Sequence, residues 1–461
     1  MTAPEHLPIL KHVHTLTTIS NPDAYRQRRA RLAARMETGS ALLLHGGLLQ
    51  TRSNDTQFRF RPDSNFHYLC GLAEPGSLLL FRPGMDPEFA LFVRPRDPEA
   101  EIWSGRRTGP EGATSIYGAD AAWPIEQAAK HLAELLNGTS TVYVPLGADN
   151  RDMRTLLDST IDNLRRRDRY GAQAPETLLD ARVLLGEERL LKDDAALASL
   201  RRAVDISATG HLAAIRATRP GLCEYEIEAL LEFHFRRQGS SGPGYGSIVG
   251  GGDNATILHY IDNSAELGDG DLLLIDAGAE WDYFTGDITR TLPINGRFSP
   301  AQRDLYSIVL EANLAGIAHA VVDSTIDSIY DVCLRSLLQG LKDLKLVDGS
   351  IDALLADESS YSRYTRHRHS HWLGADVHDV GHYCLDRKSR ALRPGYVLTV
   401  EPGLYIAADD ECAPPELRGL GIRIEDDILV SETGPEVLSD AVPKSIDAIE
   451  ALIGSEPFPC R

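Results

Sequence analysis

A chain of 461 residues with a formal net charge of −20 is long for one hydrophobic core, so two domains of unequal size are expected. The acidic balance argues against nucleic acid as a partner, because phosphate binding needs a basic surface or stripe. Apolar residues make up 43% and charged residues 25%, an ordinary globular composition, and no apolar run approaches the roughly 18 residues of a membrane span.

Residues 1–19 are polar and lack a basic stretch followed by an apolar one, so no export signal is expected. A helix follows over about 24–36. It holds the basic run Arg26-Gln27-Arg28-Arg29-Ala30-Arg31, read as a solvated face. Strand-like runs at 41–44, 77–81, 89–93 and 141–144 alternate with a helical one at 125–136, an α/β pattern of domain size. A polar stretch at 165–174 precedes a strand-like 178–185 and a long helical segment over 187–217. The division is therefore placed near residue 175, giving domains 1–175 and 176–461. Arg219-Pro220-Gly221 breaks a helix and Glu224 opens an amphipathic one through Arg237. A Gly-rich loop (239–252) and a hairpin over 276–292 follow. Ser299-Pro300-Ala301-Gln302 then reads as a capping box with proline at the first helical position. A second helix is expected over 326–341, and strands and loops continue to Val430.

Six cysteines, Cys70, Cys223, Cys333, Cys384, Cys412 and Cys460, are scattered without CxxC spacing, which fits a reducing cytoplasm and speaks against thiol catalysis.

The chemistry lies in the second half. Leu272-Leu273-Leu274-Ile275-Asp276 is an apolar strand ending in a charge, and 396–403 and 421–427 repeat the pattern around Glu401 and Glu425. A lone carboxylate there would be desolvated and unpaired unless a cation were near. Across the hairpin Asp276 and Asp287 are expected to face each other, within about 5 Å. Such a pair is either an acid dyad sharing a proton or a metal site. Five of the 15 histidines, His367, His369, His371, His378 and His382, crowd a short stretch. One imidazole suffices to complete a mostly oxygen set, so His369 and His382, like His12, His45 and His234, are read as ordinary. Four carboxylates balance two divalent ions, and one histidine beside them suits Mn²⁺, with Zn²⁺ or Co²⁺ as alternatives. A water bridging two such ions becomes hydroxide near neutral pH and can attack a carbonyl that the pair polarises.

The blocks Leu274-Ile275-Asp276-Ala277-Gly278, Gly286-Asp287-Ile288-Thr289-Arg290-Thr291, Ser370-His371-Trp372-Leu373-Gly374, Asp376-Val377-His378-Asp379-Val380-Gly381, Thr399-Val400-Glu401-Pro402-Gly403 and Gly421-Ile422-Arg423-Ile424-Glu425-Asp426-Asp427 together resemble the Xaa-Pro aminopeptidases (aminopeptidase P). Arg52-Ser53-Asn54-Asp55-Thr56, the stretch 60–66 and Glu101-Ile102-Trp103-Ser104-Gly105-Arg106-Arg107 extend the likeness to the first domain. The resemblance implies an α/β N-terminal domain followed by an α+β pita-bread catalytic domain. It implies that Asp287 and Glu425 bridge two ions, that Asp276 completes one, and that His371 and Glu401 complete the other. Glu401 would also be general base. His378 would stabilise the oxyanion or hand on a proton, His259 and His367 would contact substrate, and Arg423 would lie behind the carboxylates or touch substrate. Trp103 would reach a neighbouring subunit, so a homodimer or homotetramer is expected. Two departures, Arg368 and Gly246 where the family usually has Gly and Asn, touch the substrate region.

The expected activity is hydrolysis of the bond between an N-terminal residue and a penultimate proline, on peptide substrates. The alternatives are an Xaa-Pro dipeptidase (prolidase), disfavoured by Ser370-His371-Trp372, and a non-catalytic pita-bread binding protein, disfavoured by the full ligand set. A methionine aminopeptidase would leave the first domain unexplained.

Overall fold

A computed structural model describes residues 21–147 and 151–459. Residues 1–19 with His12, and Cys460, lie outside them. Contacts divide the chain into units 1–188 and 189–461. The division falls after the strand Thr177–Asp180, which pairs in parallel with Thr141–Val144 and completes the first sheet beyond residue 175.

Unit 1 is built on a six-stranded mixed sheet in the order Ala121–Pro124, Phe89–Val93, Leu78–Phe81, Ala41–His45, Thr141–Val144, Thr177–Asp180. Its four central strands are buried on both sides because both faces are covered. Leu42 and Leu44 belong to one core cluster, while Ala41 and Leu43 belong to another with Leu132, Leu157 and Leu164 from the helices Ala128–Leu135 and Arg151–Arg166. The run read as strand 178–185 ends at Asp180. Its carboxylate accepts from Arg182 N at 3.1 Å, and the helix Ala181–Leu190 begins there. The basic run is a solvated face only in part: Arg26 is exposed, but Arg28 and Arg29 are 3% and 8% exposed. Arg28 stacks on the Tyr68 ring at 4.3 Å, and Arg29 donates to Leu69 O at 2.7 Å while lying over Phe89. Aromatic faces and carbonyls replace water for both cations.

In unit 2 the helical segment expected over 187–217 breaks in two. Asp193 accepts from Ala196 N at 2.8 Å and starts a new helix, Asp194–Ala217, while Lys192 N bonds Gly395 O. The helix Glu224–Arg237 runs as expected, and the Ser299/Gln302 capping box opens Pro300–His319. Each half of the unit is a pair of helices followed by antiparallel strands: Asp194–Ala217 and Glu224–Arg237 in the first, Pro300–His319 and Ile326–Asp343 in the second. The halves join at the sheet. Leu272–Asp276 pairs with Ile248–Gly251 on one side and Thr289–Pro293 on the other, Thr289 bridges Glu425, Val397–Val400 pairs with Asp426–Ser431, and Trp372 bridges Leu398. A continuous antiparallel path therefore sets Asp276 opposite Thr289, Thr289 opposite Glu425, Val400 opposite Asp426 and Trp372 opposite Leu398. This is the mixed α/β architecture that the sequence blocks imply for the catalytic half.

The hairpin over 272–293 closes at Asp282 and Tyr283, both with left-handed φ (51° and 62°). Near its base the strands touch: a Cβ on Gly278 would lie 1.7 Å from Gly286 O. Gly278→Ala is therefore expected to cost at least about 2 kcal/mol, read as a fall in the denaturation midpoint of the metal-free chain. An unchanged midpoint contradicts this packing.

Candidate metal centre

Asp276 lies opposite Thr289, not Asp287. Asp287 is two residues further out, in the diagonal position that side chains can still span. The Tyr245 hydroxyl joins the two acids, 2.6 Å from Asp276 Oδ1 and 2.5 Å from Asp287 Oδ1. One hydroxyl proton cannot fully serve two carboxylates, so this corner of the cluster lacks positive charge.

His371 completes the group. Its Nδ1 lies 3.0 Å from Trp372 O, and a carbonyl only accepts, so the ring proton sits on Nδ1. Nε2 then faces Asp287 Oδ2 at 3.4 Å, Glu401 Oε1 at 3.5 Å and Glu425 Oε1 at 3.9 Å. Ligand atoms of Asp287, His371 and Glu425 all fall within 4.8 Å of one another. The backbone holds them there: Thr399 N bonds His371 O at 2.9 Å, and Glu401 N bonds His369 O at 3.0 Å.

Charge then decides what this cluster is for. Burial first, and then neighbouring acids, push the Asp287 and Glu425 carboxyls up, and Glu401 rises to about 7. Burial alone would lower the His371 imidazolium, yet Asp287 and Glu401 hold it up at about 9. Three acids favour their neutral form while the imidazole between them favours its charged form, which is the signature of too little positive charge in a dry site. None of Asp287, Glu401 and Glu425 pairs with a lysine or arginine among the described residues, whereas other buried acids do. Arg423 Nη2 reaches Asp276 Oδ2 at 2.6 Å, and Arg290 and Lys444 hold Asp426 at 2.8 and 2.6 Å. Carboxylate oxygens plus one imidazole nitrogen form a donor set that fits divalent cations, and the acids without cationic side chains are those that surround Nε2.

A second layer fixes the oxygens. Thr289 Oγ1 donates to Glu425 Oε2 at 2.6 Å, Asp287 N donates to Asp427 Oδ2 at 3.0 Å, and fully buried Arg290 donates to Glu425 O at 2.6 Å. His378 stands edge-on to His371, ring centroids 4.4 Å apart. Its loop is anchored by the next residue, Asp379, which accepts from Lys192 Nζ at 2.8 Å and from Arg189 Nη2, all three buried.

The other expected residues line one cleft of about 760 Å³ with the acids: His259, His367, His378 and Arg423. His367 donates from Nδ1 to Arg368 O (2.8 Å), and its Nε2 accepts from Tyr405 OH (2.8 Å). Burial, then Arg423, lowers it to about 4, so it is neutral. Burial, then His371, also lowers His378. Arg423 is 3% exposed and bonds Asp276, Tyr405 and Thr289. These contacts place it behind the carboxylates. His369 is a buried core residue with Thr365 Oγ1 at 3.0 Å, and His45 Nδ1 accepts from Gly47 N. Tyr245 went unread in the sequence; its place in the Gly-rich loop, Pro243-Gly244-Tyr245-Gly246, was the available signal.

Comparison with known proteins agrees over most of the length. The profile of metallopeptidase family M24 matches residues 198–432, and that of the aminopeptidase P N-terminal domain matches 25–143. The Xaa-Pro aminopeptidase of Escherichia coli K12 is 42% identical over 95% of this chain and 99% of its own. Mouse Xaa-Pro aminopeptidase 3 is 33% identical over 87% of this chain and 78% of its own. Among solved structures, Pseudomonas aeruginosa aminopeptidase PepP superposes with a TM-score of 0.92 at 43% identity, covering 95% of this chain and 98% of that one. An E. coli aminopeptidase P variant in complex with substrate gives 0.90 at 42%, with the same coverage.

In the metal-free chain Glu401 keeps its proton until about pH 7 and His371 until about 9. A cation can enter only as those protons leave. Loading at pH 7 should therefore release about one to three protons, and affinity should rise between about pH 6 and 9. Calorimetry in buffers of different ionisation enthalpy measures the release, and proton-neutral binding contradicts this reading.

Proposed function

The chain belongs to metallopeptidase family M24 and hydrolyses the bond between an N-terminal residue and a penultimate proline, as an Xaa-Pro aminopeptidase, and we infer that Asp276, Asp287, His371, Glu401 and Glu425 carry that reaction by holding two divalent ions. The observation that carries the assignment is His371 Nε2 facing carboxylate oxygens of Asp287, Glu401 and Glu425, none of which pairs with a lysine or arginine among the described residues. In this reading Asp287 and Glu425 would be shared by the two ions, Asp276 would serve one, and His371 and Glu401 would serve the other. When bound, such ions polarise the scissile carbonyl and lower the pKa of an attacking water. The oxygen-dominated donor set favours manganese over zinc or cobalt.

The protein's own groups supply the rest. Glu401 would accept the proton of the attacking water and pass it on. Neutral His378, fixed beside His371 by the Asp379 anchor, donates toward the developing oxyanion or assists the leaving proline nitrogen. His367, pinned between Arg368 O and Tyr405 OH, and His259 on the rim of the cleft position the peptide. Arg423 orients Asp276 through its 2.6 Å ion pair.

The assembly is read as a homodimer or homotetramer, supported by Ile102 and Trp103, which are 81% and 90% exposed. A cytoplasmic setting is supported by five free cysteines, Cys70, Cys223, Cys333, Cys384 and Cys412. No helix of the described residues is long and apolar enough to cross a membrane.

Mn²⁺-loaded protein is expected to release arginine from Arg-Pro-Pro and to prefer it over Gly-Pro. No release, or the reverse preference, would contradict an aminopeptidase. Glu401→Ala should lower kcat by about 10³-fold or more, through loss of a ligand and the base. Near-native turnover in that variant refutes the role.

A further inference from the structure

The cleft is lined by both acidic and cationic side chains. At its floor lie Asp276, Asp287, Glu401 and Glu425, and the wall carries Ile248, Leu258, Ile261 and Val377. Two guanidiniums line it. Arg423 is 3% exposed and already engaged by Asp276, Tyr405 and Thr289, so it has little left to offer a ligand. Arg368 is the other, with its side chain 56% exposed.

Arg368 is held rather than free to wander. Its Nη2 pairs with Asp327, and its guanidinium carbon lies 4.1 Å from the Tyr330 ring centroid. No other hydrogen bond to that guanidinium occurs among the described residues, so the remaining N–H donors of the fork face solvent at the cleft. Its carbonyl takes the Nδ1 proton of His367, which ties the residue to the wall that contacts substrate. Ion pairing and stacking fix the planar group beforehand, lowering the entropy lost when it binds a ligand.

We propose that Arg368, held by Asp327 and Tyr330, is a specificity-determining residue that binds the C-terminal carboxylate of a short peptide whose amino end lies at the acid cluster. The inference rests on the aminopeptidase reading above. A short peptide is a dipole, with an ammonium at one end and a carboxylate at the other. With the floor acids committed to two ions, the exposed cationic side chain that the cleft offers a peptide is Arg368. On a chain of net charge −20, a substrate carboxylate has few favourable places to lie, and a fixed cation on the cleft wall selects for it. Short peptides with a free C-terminus are thus the preferred substrate class.

The test compares kcat/KM for Arg-Pro-Pro and its C-terminal amide, using the Mn²⁺-loaded full chain and Arg368→Gln. The acid should exceed the amide by about five- to tenfold at low salt. The ratio should shrink with added salt and fall to near one in Arg368→Gln. A ratio near one in the unsubstituted chain, or the same ratio in both proteins, overturns the role of Arg368 and leaves the aminopeptidase activity standing. Failure to cleave either peptide overturns the aminopeptidase reading itself.

Discussion

Everything in the catalytic unit answers to one electrostatic constraint: four carboxylates and an imidazole share a dry space. Burial, and then the charge of one sign confined there, raises the pKa of Asp287, Glu401 and Glu425, and Asp287 and Glu401 hold a proton on His371. The fold neutralises some acids and deliberately leaves others. Asp276 takes Arg423, Asp379 takes Arg189 and Lys192, and Asp426 takes Arg290 and Lys444. Asp287, Glu401 and Glu425 receive no such partner among the described residues. The unpartnered acids share one face with His371 Nε2, and that distribution separates a metal centre from a merely acidic patch.

The paired acids form the frame that holds the unpaired ones. Although burial opposes it, Arg290 and Lys444 keep Asp426 ionised well below the usual carboxylate range. Asp426 lies beside Glu425, and Arg290 also donates to Glu425 O. Asp379 does the same for its neighbour His378. Breaking such a buried pair by removing one partner costs about 3–5 kcal/mol. The charged frame thus fixes, by backbone adjacency, side chains that carry no charge partner of their own.

Much of this was legible before any coordinates, and the reason is local. An apolar strand ending on an acid is visible in a few consecutive residues, so Asp276, Glu401 and Glu425 stand out singly. The Ser299/Gln302 capping box and the Glu224 helix start are equally local, and both elements form as read. What stayed hidden depends on partners far along the chain. The register setting Asp276 against Thr289 follows from Gly278 and the tight turn at Asp282, which strand patterning does not encode. Tyr245 gains its role only where a loop meets two strands. Arg28 and Arg29 look like surface cations until Tyr68 and Phe89 arrive to cover them.

The acids without cationic partners imply a definite metal content, and this is the most direct test. Elemental analysis after loading with Mn²⁺ and exhaustive dialysis should find two ions per chain for the unsubstituted protein, and fewer for Glu425→Gln. Full peptidase activity in protein holding no metal would contradict the account at its root.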